Sequence, residues 1–266
     1  MHYLSQMITR NFLPKNGLHT FWMYDPSRGK LETRNIDRLF SKYRPWGQEF
    51  EALLSGNQYE NRIAPLLKEL NQKTMERGRI LTRTGVEEPQ FNAMSITDKI
   101  EYNLLSKLIF QIVLLQRSGE KPEPETEKII EELFKRDFNI RFNILLVEIH
   151  PLYICPPLIL TDGMLFFFIC PDDRRENLGH MGFMFPISEK RFLLYISNKD
   201  DFIFFCRKYH NINYLNLCRI EQHEKKCVIA LAKTERNEAY MKRLIREIPF
   251  FKSHEPISIR TTREWE

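Results

Sequence analysis

The sequence predicts an α+β fold: an N-terminal hairpin and helical region, followed by a mixed or antiparallel sheet with packed helices. Three observations predict it. Ser95 to Arg117 carries apolar residues at helical spacing over a broad stripe. From Phe142 onward, short runs of Phe, Ile, Leu and Val alternate with turn residues, as strands do. Between and after those runs, Lys199–Arg207, Ile212–Gln222 and Asn237–Glu247 return to helical composition.

In chain order, the opening His2-Tyr3-Leu4-Ser5-Gln6-Met7-Ile8-Thr9-Arg10 predicts a short helix. His19–Tyr24 and Leu31–Arg34 flank Asp25-Pro26-Ser27-Arg28-Gly29-Lys30, and aromatic and β-branched runs around a Pro/Gly turn predict a hairpin. Ile36–Tyr43 suits a short helix before a turn at Arg44-Pro45-Trp46-Gly47. Gln58 to Arg77 predicts a helix with Ile63, Leu66, Leu67 and Leu70 on one face, and polar Ile80–Asn92 predicts a loop. Ser95 then caps the long helix, with Asp98 three residues on and Ile100, Leu104, Leu108, Ile112 and Leu115 along its stripe. After the polar break Gly119–Pro124, Glu125–Phe138 predicts a further helix.

Strands are expected at Phe142–Ile149, at Leu158–Thr161 with the Phe-rich run Leu165–Cys170, broken at Asp162-Gly163, at Arg191–Ser197 and at Cys227–Leu231. The change of character near Asn139 divides the chain into 1–138 and 139–266, or leaves one compact domain with a single core.

Composition narrows the function classes. A chain of 266 residues with 42% apolar residues and ten glycines is long enough to bury a substantial core. A net charge of +5 permits contact with nucleic acid without requiring it. No apolar stretch approaches the ~20 residues that span a bilayer, and no basic region leads into an apolar core at the start. Five cysteines, an odd number, fit reduced thiols, so a cytoplasmic location is expected. No G-x-x-x-x-G-K-[ST] phosphate loop, G-x-G-x-x-G turn, H-E-x-x-H helix or G-x-S-x-G elbow occurs, which disfavours the common nucleotide hydrolases, zincins and α/β hydrolases.

The most informative motif is the opening. His2, Gln6 and Arg10 are four apart and share one side of a helix. The segment His2-Tyr3, Gln6, Arg10 and Phe12 resembles the H-Y-x-P-Q-x-x-L-R-x-F opening of the domain of unknown function 4238 family, with Ser5 and Thr9 in place of its Pro and Leu. Leu160-Thr161-Asp162-Gly163-Met164 and Phe185-Pro186-Ile187-Ser188 are similar to that family's T-S-D-N-P and F-P-L-S-P signatures, although the Asn-Pro is absent. Glu60 before Ala64-Pro65, and Arg117-Ser118, resemble two further family features.

A composite site follows as an expectation. His2 and Asp162 are its catalytic candidates, and Gln6, Arg10, Glu60 and Arg117 its ligand-binding candidates. A carboxylate at Asp162 would orient the His2 ring and raise its basicity, as a general base requires. Arg10 or Arg117 would hold a phosphate or carboxylate bidentately. The competing reading is a polar clasp that pins the opening helix to the core.

Two other constellations carry chemistry. Cys206, His210, Cys218, His223 and Cys227 include pairs four apart that a zinc ion can bridge, but the spacing fits no zinc ribbon, and core thiols are the plainer reading. Glu224-Lys225-Lys226 with Asp172-Asp173 and Asp200-Asp201 could serve a magnesium-dependent nuclease; solvated turns and caps are the plainer reading. Lys73, Arg77, Arg79 and Arg83 form a basic stretch, and Trp22, Tyr24 and Trp46 are aromatics able to stack on bases.

The expected function is a defence or toxin-type effector acting on nucleic acid or another phosphate-bearing ligand. The alternative is a non-catalytic protein- or nucleic-acid-binding module. The sequence names no cofactor, and the defence role rests on analogy alone.

Overall fold

In a computed structural model, the described residues are 8–13, 19–36, 57–75, 80–82, 85–87, 90–117, 142–150, 155–162, 164–170 and 180–252. The fold is α+β, built on two antiparallel sheets of four and five strands and a small two-stranded ribbon. The strands are β1 (Thr20–Asp25), β2 (Lys30–Asn35), β3 (Ile80–Thr82), β4 (Gly85–Glu87), β5 (Phe91–Ser95), β6 (Asn143–Ile149), β7 (Leu160–Thr161), β8 (Phe166–Cys170), β9 (His180–Pro186), β10 (Arg191–Ile196) and β11 (Ile229–Ala232). The helices are α1 (Asn57–Gln72), α2 (Lys99–Arg117), α3 (Lys199–Lys208), α4 (Ile212–Gln222) and α5 (Glu235–Glu247), with a further helical stretch at 8–11.

The first sheet has the order β2-β1-β11-β7 and the second β5-β6-β10-β9-β8. Strands from both sides of residue 138 share each of them: β1 pairs with β11, and β5 with β6. Strand β10 lies at the centre of the second sheet, between β6 and β9, and buries both its faces. Leu193 and Tyr195 point into one apolar cluster with α1 and α2, while Phe192, Leu194 and Ile196 point into another with Phe205 of α3 and Leu215 of α4. A strand covered on both sides needs this unbroken apolar run, and Phe192–Ile196 supplies it.

A third cluster packs Ile229 and Leu231 of β11 against Tyr240, Met241 and Leu244 of α5 and Leu217 and Ile220 of α4. Helix α4 thus serves two cores. Three helices start on side-chain caps that the sequence displays: Asn198 with a reciprocal Asp201, Asn211, and Thr234. Helix α1 has no basic residue in its last turn. Arg191 of β10 supplies the cation instead, donating to Leu70 O at 2.8 Å and, from Nε and Nη2, to Glu148 Oε1 at 2.9 and 2.6 Å.

The structure corrects several expectations. Ser95 ends β5, and Asp98 caps α2, accepting from the N–H groups of Ile100 and Glu101 at 2.9 Å. Ile100 lies outside the buried stripe and is exposed. The polar stretch 80–92 holds the β3–β4 ribbon and starts β5. The apolar segments on either side of Asp162 belong to different sheets, β7 to the first and β8 to the second. Strand β9 is an addition to the expected elements. The helices expected at Ile36–Tyr43 and Glu125–Phe138 lie outside the described residues, apart from Ile36 itself. Among the described residues no helix is long and apolar enough to cross a membrane.

Candidate functional site

Asp162 lies at the β7 margin of the first sheet. Strand β7 is two residues long and pairs with β11 through Thr161 opposite Ile229 and Leu160 opposite Ala230. The chain leaves the sheet at Asp162. There the backbone N–H of Asp162 donates to Val228 O at 3.1 Å, and the N–H of Val228 donates to Asp162 Oδ1 at 3.0 Å. The carboxylate extends the ladder by one rung at the sheet margin, and the side chain is half-buried.

The helical stretch at 8–11 belongs to the same extended core. Ile8 and Phe12 are buried in one cluster with Leu160, Leu165 and Val228, which flank Asp162 in sequence or in pairing. Ile8 and Phe12 are four apart and face inward together; Arg10, halfway between them, points outward and is exposed. No ion pair joins Arg10 to Asp162 among the described residues, so the guanidinium is directed to solvent instead of to the turn carboxylate. His2 and Gln6 lie outside the described residues. Glu60 belongs to the first turn of α1, and Arg117 is the last residue of α2, with side chains outside those described.

Behind β7 is a polar group absent from the expected site. The free edge of the segment before β7 is closed by two side chains of α4, three apart and on one face. Asn216 Oδ1 accepts from the N–H of Ile159 at 3.3 Å, and Arg219 Nη1 donates to Ile159 O at 2.7 Å. Side chains here complete the hydrogen bonding that a neighbouring strand would otherwise provide. Arg219 Nη2 also reaches Thr161 Oγ1 at 3.5 Å. The amide of Asn216 donates to Pro157 O and to the Tyr240 hydroxyl, which donates to Asn213 Oδ1, and the Asn213 amide donates to Glu247 Oε2.

Arg219 is buried, and its Nε has no hydrogen-bond partner among the described residues. Burial pushes its guanidinium down to about 10, against the weaker favourable influence of Cys227 and Tyr240. Both of those groups are themselves pushed up by burial, Cys227 to about 12 with the Asp162 carboxylate adding to the effect, so both are neutral at physiological pH. The sequence does not announce this network: Asn216 and Arg219 are polar residues on a predicted helix, where such residues ordinarily face water.

A second polar group joins the β9–β10 turn to the start of α5. The Asn237 amide bridges Glu189 Oε1 at 2.9 Å and Ala232 O at 3.0 Å. Burial raises the Glu189 carboxyl above its ordinary range, opposed by the Asn237 hydrogen bond and by the Arg236 and Lys190 charges. Cys155 is close by, its thiol also raised by burial, and its carbonyl accepts from Arg236 Nη2 at 3.0 Å.

The other constellations are dispersed. Cys218 packs into one core cluster and Cys227 into another, and His210 is exposed with Nδ1 at 2.8 Å from Arg207 O. Among the described residues no three His, Cys, Asp or Glu side chains are grouped to hold a metal. Cys170 and Cys206 are raised to about 12, chiefly by burial, so these thiols stay protonated and poorly nucleophilic at neutral pH. Glu224 and Lys225 occupy left-handed backbone at φ 52° and 60°, and Glu224 pairs with Lys226 on the surface. Asp201 is a buried helix cap and Asp200 is exposed, while Asp172 and Asp173 lie outside the described residues. Trp22 and Tyr24 pack on the third cluster, and Trp22 Nε1 donates to Thr234 O, so their rings are structural. Lys73 is half-buried, whereas Arg77, Arg79, Arg83 and Trp46 are not among the residues whose side chains are described.

Comparison with protein-family models, with curated proteins and with solved structures finds no match.

Proposed function

We propose that the chain acts on a phosphate-bearing ligand, nucleic acid in particular, at the sheet margin that carries Asp162. One observation supports this above the others: Ile8 and Phe12 are buried in the same extended core as Leu160, Leu165 and Val228, so the opening helix and the Asp162 turn are built on one core. The resemblance of both segments to signatures of one family supports it further. In this reading His2 takes and returns the proton, and Asp162 orients its ring. Gln6 and the exposed Arg10 hold the ligand, with Glu60 and Arg117 at the margin. An effector directed against foreign nucleic acid is the biological setting that we infer.

A second reading has its own support. Asp162 Oδ1 already accepts the Val228 N–H, as the carboxylate of a purely structural turn would. The opening motif would then be a clasp on a non-catalytic binding module.

Replacing His2 by alanine separates the two. Under the first reading, cleavage of RNA or DNA falls by about 10²-fold or more, the usual worth of a positioned acid–base group, while the melting temperature holds. Under the second, the melting temperature drops and no activity is lost beyond the unfolded fraction. Undiminished cleavage by a stably folded variant removes His2 from catalysis.

A further inference from the structure

We infer that the outer face of α5 is a docking surface for single-stranded nucleic acid. The inference extends the proposed ligand class to a second surface and depends on that reading for the ligand class alone.

Positions 236, 239, 243 and 246 recur at steps of three and four, so they form one line along the exposed side of the helix. They are Arg236, Ala239, Arg243 and Arg246, all exposed, and Lys242 lies beside them. The line runs about 15 Å from Arg236 to Arg246 at the rise of an α-helix. Backbone N–H bonds from Phe250 and Phe251 to Glu247 O continue the turn past the helix, which brings Phe250 to the end of the same line.

Phe250 is 86% exposed, the most exposed of the large hydrophobic residues described. Its neighbour Phe251 packs on Tyr214, whereas the Phe250 ring is left in water. An aromatic ring so placed contributes nothing to the core but offers a flat apolar face to an incoming base.

Two of the three arginines are held by no carboxylate among the described residues. Arg236 and Arg246 donate to main-chain carbonyls, those of Cys155 and Lys242, and neither makes an ion pair among the described residues. The carboxylates of this helix lie mainly on its flanks: Glu238 pairs with Lys242 at 2.6 Å, and Glu247 lies 3.7 Å from Arg243 while accepting from Asn213. Glu235 sits at the start of the line. Arg243 is exposed, and its guanidinium lies 5.3 Å from the centroid of the Tyr240 ring. Ala239, at the centre of the line, lets a phosphate backbone approach the helix closely. Three guanidinium groups, which match phosphate bidentately, followed by an exposed ring suit an unpaired strand, because a duplex hides its base faces.

The test is fluorescence anisotropy with labelled oligo-uridylate and oligo-thymidylate of about 12 nucleotides, within the usual span of a single-strand site, over a range of salt. Binding should weaken with salt, and the combined variant Arg236→Gln, Arg243→Gln, Arg246→Gln should reduce the slope of log affinity against log salt by about 2. Phe250→Ala should weaken binding roughly tenfold or more and leave that slope unchanged. Melting temperatures should move little, since all four side chains are exposed and the contacts of the arginines lie at the surface. Retention of the wild-type slope by the triple variant overturns the proposal, as does the absence of binding at low salt. Poly-glutamate binding that is lost in the triple variant, with no oligonucleotide binding, would also overturn it and make the surface one for acidic protein. Binding lost in Arg10→Gln but kept in the α5 variants would overturn this surface and leave the ligand class of the proposed site intact.

Discussion

Substituting Gly182 by alanine is expected to cost about 3 kcal/mol of stability, and substituting it by valine to prevent folding. Gly182 lies in β9 directly opposite Phe168 of β8. A Cβ at this position would collide with three ring atoms of Phe168, Cζ, Cε2 and Cε1, all of them closer than 3.0 Å. The ring cannot readily yield. It is fully buried, with Phe205 at 5.1 Å, Tyr209 at 6.1 Å and Phe166 at 6.3 Å between centroids. The ring covers the bare backbone of the glycine and takes the space a side chain would fill. Urea denaturation measures the loss. Combining Gly182→Ala with Phe168→Leu should recover part of it, because removing the ring removes the clash. A Gly182→Ala variant as stable as the parent would show that the two strands are not packed in this way.

Substituting Arg219 by alanine is expected to cost about 3 kcal/mol, and substituting it by methionine only about 1 kcal/mol. Alanine leaves the Ile159 carbonyl without its donor and opens a cavity beneath the free edge of β7. Methionine also removes the donor, but it fills the volume and relieves a buried cation that no carboxylate among the described residues pairs. The downward push on the guanidinium by burial is the physical sign of that cost. Denaturant midpoints at neutral pH measure both. Equal losses for the two substitutions would mean that the hydrogen bonds to the β7 segment, and not packing, account for the role of Arg219.

The elements are legible where a single periodicity rules. The Pro/Gly-turn hairpin falls at β1–β2, the apolar run from Phe142 at β6, and the stretch 212–222 at α4. Strand β9 is hidden because His180-Met181-Gly182 opens it without alternation, and Gly182 argues locally against a strand. Its reason for being there is the Phe168 ring on the neighbouring strand, a long-range fact. Ser95 resembles a cap because both Ser95 and Asp98 suit that place. The pairing of Ser95 with Leu145 takes it into a strand, so the helix begins further on, after Asp98.

For the candidate site, the exit of the chain from a sheet at Asp162 is legible from Asp-Gly after an apolar run. The approach of the opening helix is suggested by its stripe alone. Arg219 and Asn216 give no such signal, because a polar residue on a helix ordinarily faces water. Only the short length of β7 makes an unsatisfied sheet edge for them to close.

The proposed site requires the imidazole of His2 to meet the carboxylate of Asp162. The direct measurement is the NMR titration of His2 in the parent protein and in Asp162→Asn, whose side-chain oxygen still accepts the Val228 N–H and so preserves the turn. A paired carboxylate favours the imidazolium, so removing its charge should lower the pH at which His2 titrates by about one unit. An identical titration in the two proteins, with the turn intact, would contradict the account.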